Sequence, residues 1–360
     1  MLQRYRFTLE STHDRNVVTE LLAFILAIIG TFIVTGILLR IADIDPIHAY
    51  LSLFSGAVGS KEAILETLVR ATPLMFTAIA TVLAFKGKIW TIGQEGQMVG
   101  GAMMSYWSLL LFGDLPRPIL LIVVITFGFL GGALLGLISG VLRAYFRVNE
   151  IISTVLLNYI ISLVLSALLY DQKLWMDPSY YYPQSAPVPD VARFPVLIPE
   201  SPLHFGIILA LLAVLLVYWL LKKTPYGYDI RALGANPVAS LFHGVHLNNI
   251  IIITLVLSGG LAGLAGVGEV FGVHHRLVTD ISGNYGYTGI AVAMIADLNP
   301  IAVIATAVLF GGLMNGSFSL LVDTNVPTTF IYALQAIFLL FLLVARVFST
   351  YRIKRDSNDR

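Results

Sequence analysis

The sequence contains no cysteine and little charge. The absence of cysteine excludes disulfide bonds, thiolate metal sites and cysteine nucleophiles. Only 12% of the 360 residues are charged, against about 25% in a typical soluble domain, whereas 57% are hydrophobic. This composition argues against a soluble domain and indicates a protein that lies in a lipid bilayer.

Catalytic and nucleotide-binding motifs are also missing. There is no Ser/His/Asp arrangement, no H-E-x-x-H and no Rossmann fingerprint, and the pair Gly87-Lys88 lacks the remainder of a P-loop. The pair His274-His275 has no third ligand at metal spacing. The sequence therefore predicts no enzymatic activity, no metal site, no cofactor of its own and no nucleic-acid partner.

Long apolar runs are abundant instead. A helix needs about 20 residues to cross a bilayer. Ten candidate spans follow from this length, and the eighth of them, at 13 residues, is too short for a straight crossing. The spans are 21–39, 64–85, 92–112, 118–142, 151–170, 204–221, 250–270, 285–297, 300–322 and 326–345. We predict an all-α polytopic membrane protein in which residues 1–360 form one transmembrane domain.

The distribution of Lys and Arg predicts the orientation, because these residues accumulate in cytoplasmic loops. With the N-terminus inside and ten crossings, 15 of the 22 basic residues face the cytoplasm, six lie outside and Arg70 lies within a span. Leaving out 285–297 would erode this bias, so we expect that segment to cross with help from its flanks. The cytoplasmic parts are then 1–17, 222–249 and the basic tail 346–360.

The same orientation places residues 171–203 outside the cell. This segment is rich in Pro and Tyr and has no helical period. It is either a plain surface loop or a docking surface for an extracytoplasmic partner.

A short cytoplasmic stretch, "ALGANPVASLFHGV" at 232–245, has the signals of a small helix. Asn236-Pro237 is a helix start, and Gly244 offers a left-handed end. Between and beyond them an apolar face follows helical spacing at Val238, Leu241, Phe242 and Val245. That face must be buried against the headgroup layer, the protein's own helix ends or another protein.

Two pairs of glycine-containing segments suggest an internal repeat. "IGQEGQMVGGA" (92–102) aligns with "YGYTGIAVAMI" (285–295), and "FLGGALLG" (129–136) aligns with "LFGGLMNG" (309–316). In the predicted topology the first pair runs in opposite directions, which is the pattern of an inverted repeat in transporters. The glycines also permit close helix packing in lipid, and the two readings are compatible.

Polar residues within the spans are candidates for function because they are costly in lipid. Gln94, Glu95 and Gln97 at the start of the third span form either a pathway or gate element or a turn held by its own hydrogen bonds. Asn158 and Asn315 either line a polar pathway or hydrogen-bond between helices.

Four segments, in order, resemble the permease subunits of ATP-binding cassette (ABC) importers. They are "IGQEGQMVGGA", "NEIISTVLLNYI", "TPYGYDIRALGANPVASLFHGV" and "YGYTGIAVAMIADLNPIAVIATAVLFGG". The resemblance covers roughly residues 60–348. It is to the branch of these importers that serves branched-chain amino acids, ribose-like sugars and nucleosides. It is closest to general nucleoside and simple-sugar permeases.

This resemblance implies partners and site residues. A separate ATPase subunit would bind ATP and Mg²⁺, a second permease subunit, identical or homologous, would complete the pathway, and an extracytoplasmic substrate-binding protein would deliver the solute. The coupling residues to the ATPase would be Gly234, Ala235, Asn236, Pro237, Val238, Leu241, Phe242 and Gly244. The pathway for a nucleoside or simple sugar would include Gln94, Glu95, Gln97, Asn158, Tyr285, Tyr287 and Asn315.

The expected function is inward transport by alternating access across the plasma membrane, with both termini in the cytoplasm. The alternative is an autonomous secondary transporter or channel. It would need ion-coordinating carboxylates at the membrane midplane, and the sequence shows no chain of them.

Overall fold

The computed structural model describes residues 6–11, 17–242 and 244–356. Parts of the predicted cytoplasmic segments 1–17 and 346–360, namely 1–5, 12–16 and 357–360, lie outside the described residues. Helices carry most of the described chain. They are α1 (Val17–Ile41), α2 (Pro46–Val58), α3 (Lys61–Lys86), α4 (Gln94–Phe112), α5 (Arg117–Phe146), α6 (Glu150–Tyr170), α7 (Gly206–Lys223), α8 (Pro225–Ala235), α9 (Pro237–Phe242), α10 (Leu247–Gly268), α11 (Tyr285–Ile295), α12 (Pro300–Thr324) and α13 (Phe330–Thr350).

The predicted helical membrane protein is confirmed. Each of the ten predicted spans coincides with a helix, and seven of these helices are long and apolar enough to cross a bilayer. A π-helical turn, Glu269–His274, extends α10. An antiparallel pair of short strands, β1 (Arg6–Ser11) and β2 (Tyr351–Asp356), was not part of the all-α prediction.

Helix α2 was not among the predicted spans. This helix has 13 residues, fewer than a span needs. Ile47, Leu51, Phe54 and Val58 are exposed along it, whereas Ala49 and Leu53 are buried. The exposed residues therefore form an apolar face along one side of the helix, and the buried residues form the packed face on the other side.

The chain forms two compact units, of which the first comprises Met1–Gly56 and Gly316–Arg360. In it α1 packs against α13, with the rings of Phe24 and Phe338 edge to face at 5.8 Å. The hydroxyl of Tyr50 in α2 donates to the carbonyl oxygen of Phe32 in α1 at 2.7 Å. Because β1 pairs with β2, the start of α1 and the end of α13 lie on the same side, as an even number of crossings requires.

The second unit comprises Ala57–Asn315. Helix α3 lies at its centre, with 89% of its apolar window buried, and contacts α7, α10 and α11. Helices α5 and α10 approach closely, because a Cβ at Gly132 would meet the backbone of Gly259 and Gly263. Small residues at such a crossing let two helices pack in lipid, as predicted for the segment 129–136.

The second unit has two ends, defined by what lies there. Residues 171–205 cover the beginning of α3, where Leu203 packs with Leu65 and Val69, and we call this the loop end. The last residue of α3, Lys86, lies at the opposite end together with α8, and we call this the Lys86 end.

The segment from α10 to α12 crosses the second unit as an irregular stretch followed by a half-helix. At the loop end the backbone N–H of Leu277 donates to the Ser185 hydroxyl at 2.8 Å, and residues 297–300 line a cavity beside Lys86. Helix α11 between them has 11 residues and rises about 16 Å, about half the thickness of a bilayer core. The expected help from the flanks is thus the non-helical residues 275–284. Of these, Leu277, Ile281 and Ser282 are buried in protein, as irregular backbone at membrane depth needs.

Candidate substrate pathway and coupling site

The start of α4 is held by one face of α6. The chain before α4 is irregular, and the first N–H groups of a helix have no partner within it, so the backbone N–H groups here need partners from elsewhere. Three α6 side chains at i, i+4 and i+8 accept hydrogen bonds from them: Glu150 from Trp90 (3.3 Å), Thr154 from Ile92 (3.2 Å) and Asn158 from Gly96 (2.9 Å). Glu150 and Thr154 were not predicted to accept hydrogen bonds from this backbone, although their spacing within "NEIISTVLLNYI" could have indicated that they share one helix face with Asn158.

Asn158 makes the most contacts in this set. Besides accepting from Gly96, its amide nitrogen donates to the carbonyl oxygen of Ile92 at 2.8 Å. A Cβ at Gly96 would meet both the side chain and the backbone of Asn158. Of the two readings left open for Asn158, the structure therefore supports hydrogen bonding between segments over a free polar side chain in a pathway.

The N-termini of α4 and α11 meet at Glu95. The Glu95 carboxylate accepts a hydrogen bond from the backbone N–H of Gly286 at 2.8 Å and also contacts the Ser282 side chain. A Cβ at Gly286 would collide with the backbone of Glu95, so only glycine permits this approach. The positive ends of two helix dipoles stabilise a carboxylate placed between them.

From this meeting point the two helices run to opposite ends of the unit. The Tyr106 hydroxyl near the end of α4 donates to the carbonyl oxygen of Ala186 at the loop end (3.4 Å), whereas α11 leads to the cavity beside Lys86. The two segments aligned in the sequence, 92–102 and 285–295, therefore begin at one level and point in opposite directions, as an inverted repeat predicts.

Six of the seven predicted pathway residues lie at or beside this α4–α11 junction. Gln94 is fully buried, and neither of its amide atoms has a hydrogen-bond partner among the described residues; the same holds for the side-chain oxygen of Gln97. Tyr285 is buried, and its carbonyl oxygen accepts from the Thr77 hydroxyl at 3.1 Å. Tyr287 is 39% exposed, with its hydroxyl 3.4 Å from the Asn158 amide nitrogen.

Asn315 lies elsewhere. Its amide nitrogen donates to the carbonyl oxygen of Ala63 at 3.0 Å, in the first turn of α3. Tyr285 contacts α3 at Thr77, 14 residues further along, which corresponds to about 20 Å of helix. The structure thus does not bring Asn315 into the junction but makes it a tie between α12 and α3.

The small helix predicted within residues 232–245 does form. The Asn236 side chain accepts from the N–H groups of Val238 at 3.0 Å and Ala239 at 3.2 Å, which is an N-cap, and Pro237 is the first helical residue. Gly244 has φ of +80°, the left-handed conformation predicted for it. The helix ends at Phe242, so Val245 lies beyond it, and the backbone N–H of Val245 donates to the carbonyl oxygen of Ser240 at 3.1 Å.

Helix α8, which precedes it, is fixed to the protein's own helix ends. Cβ atoms at Gly227 and Gly234 would collide with the carbonyl oxygens of Leu220 and Lys86, so α8 lies directly on α7 and α3. The hydroxyl of Tyr226 contacts the Thr254 hydroxyl at 3.3 Å, and burial raises the pKa of Tyr226 to about 12.

Helix α9 differs from α8 because its apolar side chains point outward. Val238 is 63% exposed, Leu241 56% and Phe242 88%, whereas Ser240 on the opposite face is buried. Of the other predicted coupling residues, Gly234 is buried, and Ala235, Asn236 and Pro237 are exposed. Clustered exposed apolar side chains mark an interaction surface.

The sequence matches a family of known proteins over most of its length. Residues 63–346 match the family described as branched-chain amino acid transport system / permease component. The chain belongs to this family. It is therefore a multi-pass membrane permease component.

Curated relatives carry more specific names. The nucleoside ABC transporter permease NupB of Lactococcus lactis is 31% identical, with 91% of this chain and 92% of that protein covered. The guanosine ABC transporter permease NupP of Bacillus subtilis is 30% identical (93% and 95%), and the glucose ABC transporter permease TsgB13 of Haloferax volcanii is 29% identical (93% and 91%). A second permease of the first two organisms, NupC and NupQ, also matches, at 26% and 29% identity over 68% of this chain.

Proposed function

We propose that this permease moves a nucleoside or a simple sugar into the cell by alternating access, driven by a separate ATPase subunit seated on α9. The observation that carries the proposal is the apolar face of α9, in which Phe242 is 88% exposed. A six-residue helix with a defined cap at one end and a left-handed glycine beyond the other is a built element, and its unburied side chains need a partner.

The headgroup layer is the other surface that could cover α9. Helices that lie on membranes are long amphipathic segments with Lys and Arg on the polar face. Helix α9 has six residues, PVASLF, and no basic residue among them. A groove in a partner protein accounts better for so short a segment.

The partner permease is proposed to be a different chain. In two organisms, relatives of this protein occur as pairs with the same transporter name, and this chain covers 91% and 93% of its own length with one member but 68% with the other. We therefore expect this chain to be the NupB- or NupP-like member and to pair with a NupC- or NupQ-like chain. An extracytoplasmic binding protein would dock at residues 171–203, where the side chains of Tyr181 and Tyr182 are exposed.

The substrate path is proposed to pass beside the α4–α11 junction. Tyr287 and the neighbouring Tyr159 of α6 are both exposed, at 39% and 64%, although Tyr159 lies near the middle of a membrane helix. A tyrosine hydroxyl is poorly suited to lipid at that depth, and the aromatic faces can stack on a ring-shaped solute. Gln94, whose amide is unpartnered, would become available when the junction opens.

The alternative, an autonomous secondary transporter, finds less support. The buried carboxylates of the described membrane helices are already engaged: Glu95 with Gly286, Glu150 with Arg143 at 3.2 Å and Glu269 with His274 at 3.4 Å. Coupling ions need several convergent oxygen ligands, and the described residues contain no cluster of three or more acidic or histidine side chains that could hold a metal ion.

The test replaces Phe242 by Asp and, as a matched control, by Leu, in the complex purified with whatever subunits it retains. Phe242→Asp should leave membrane insertion intact, abolish retention of the ATPase subunit and reduce uptake at least 100-fold. Phe242→Leu should keep both. Normal uptake by Phe242→Asp, or transport in vesicles by this chain alone without ATP, would refute the proposal and favour the secondary transporter.

A further inference from the structure

A cavity of about 690 Å³ opens at the Lys86 end of the second unit. Four elements line it: the last residue of α3, the last turns of α7, helix α8 and the turn before α12. Its size falls within the range of about 300–1,000 Å³ that is usual for small-molecule sites. The proposed transport mechanism assigns it no role.

The walls of the cavity are strongly basic. Lys86, Lys222, Lys223 and Arg231 line it together with one acidic residue, Asp297. Four cations and one carboxylate leave a formal excess of three positive charges, contributed by three separate helices. Such an excess in one concave site favours an anionic ligand.

The cavity lies at the depth of lipid headgroups, as the order of side chains along α7 shows. Leu212, Leu215 and Leu216 are more than half exposed, Trp219 follows at 58%, and Lys222 and Lys223 close the helix. Apolar, aromatic and basic residues in that order mark the hydrocarbon, the interface and the headgroup layer. The ammonium group of Lys222 also lies over the ring of Tyr218, 4.8 Å from its centre.

We propose that this cavity binds the headgroup of an anionic phospholipid, whose acyl chains lie along the exposed apolar face of α7. The phosphate contacts Lys222, Lys223 and Arg231, and the chains contact Leu215, Leu216 and Trp219. Basic pockets between membrane helices are suited to such headgroups. This inference goes beyond the transport function and does not depend on it.

The test measures lipid binding directly in the purified full-length protein. Phosphatidylglycerol and phosphatidylcholine with brominated acyl chains are titrated into mixed micelles, and quenching of Trp219 is obtained as the difference between the protein and its Trp219→Phe variant. Brominated phosphatidylglycerol should quench Trp219 at a much lower mole fraction than brominated phosphatidylcholine. In the Lys222→Gln/Lys223→Gln variant the preference should fall about 25-fold, since each basic residue near the surface contributes about fivefold.

Lys88→Gln is the matched control, because Lys88 is an exposed cation close in sequence to Lys86 that does not line the cavity. It should retain the preference. An equal preference in the double variant and the unaltered protein would overturn the proposal. Displacement of phosphatidylglycerol by millimolar inorganic phosphate would show a general anion site rather than a lipid site. Unchanged lipid binding with loss of the ATPase subunit from the double variant would assign the cavity to a protein contact instead.

Discussion

The α4–α11 junction buries polar groups, whereas helix α9 exposes apolar side chains. At the junction, polar groups are buried and most have partners: Asn158 contacts Gly96 and Ile92, and Glu95 contacts Gly286. At α9, apolar side chains are exposed, and nothing in the described chain covers Leu241 or Phe242. The first region finds most of its contacts within the described chain, whereas the apolar face of α9 finds none there.

This difference bears on how polar residues within membrane helices, and apolar residues outside them, should be interpreted. A polar residue in a membrane helix is expected to be functional. Here Asn158, Thr154 and Glu150 hold the irregular entry to a helix, because the backbone N–H groups there cannot be left unpaired in lipid. The residues that point to a partner are the apolar ones outside the membrane.

Closing the approach between α4 and α11 should have the largest effect. In Gly286→Ala the new Cβ would collide with the backbone of Glu95, and no flexible side chain can move aside. We expect a loss of about 3 kcal/mol or more in the free energy of unfolding, seen as loss of monodisperse protein in detergent. Gly268→Ala is the same change where no atom lies within 4 Å, and it should be neutral or slightly stabilising. Equal behaviour of the two variants would mean that the helices do not meet at Gly286.

A buried ionisable group at the loop end extends the comparison to pH. His204 is 3% exposed and accepts from the Gly206 N–H at 3.1 Å, and burial lowers its pKa from 6.5 to about 4. Between these values the unfolded chain binds a proton that the folded protein does not. Stability should therefore fall by about 3 kcal/mol as the pH drops from about 6.5 to about 4, and no further below that.

His204→Asn retains a hydrogen-bond acceptor but cannot be protonated in this range. The measurement is the melting temperature of both proteins in detergent from pH 7 to pH 4. The difference in melting temperature between the unaltered protein and His204→Asn should become smaller as the pH falls. A difference that stays constant over this range would show that His204 does not titrate as a buried group.

Removing the side chain that spans the junction should have a smaller effect than blocking the approach of the helices. Asn158→Leu would leave the Gly96 N–H and the Ile92 carbonyl oxygen buried without a partner. We expect a loss of about 2 kcal/mol, at about 1 kcal/mol for each group. The measurement is unfolding in detergent, with Asn249→Leu, an exposed asparagine at the start of α10, as the control. If both variants are equally stable, Asn158 is free for a pathway role after all.

Much of the fold could be predicted because lipid imposes simple rules on a sequence. Run length located ten helices, and the capping signals at Asn236 and Gly244 located α9, since both depend on local chemistry. Helix α2 was missed because 13 residues are too few for a span, and its position is explained by packing against α1 and α12. The strand pair was also missed, because it joins segments more than 300 residues apart in the chain.

The candidate site was predicted less well, for a physical reason. The composition indicated that Gln94, Glu95 and Asn158 are unusual, but their roles depend on which backbone groups they meet. Gly96 and Ile92 are more than 60 residues from Asn158 in sequence, and Gly286 is 191 residues from Glu95. Asn315 was grouped with them on composition alone, whereas its contact with Ala63 places it near the loop end.

The smallest expected effect on stability provides the sharpest comparison, because it places the same chemistry in the second region. Asn236 caps α9 by accepting hydrogen bonds from two backbone N–H groups, and Asn158 accepts one such bond, from Gly96, at the start of α4. Asn236→Ala should destabilise α9 locally by about 1 kcal/mol, whereas Asn236→Ser retains a cap. Because α9 is exposed, the melting temperature of the protein should not change in either variant, but Asn236→Ala should lower uptake about fivefold by leaving the coupling helix partly unfolded. A lowered melting temperature with normal uptake would mean that α9 belongs to the packed fold, as the junction does, and that its apolar face has no external partner.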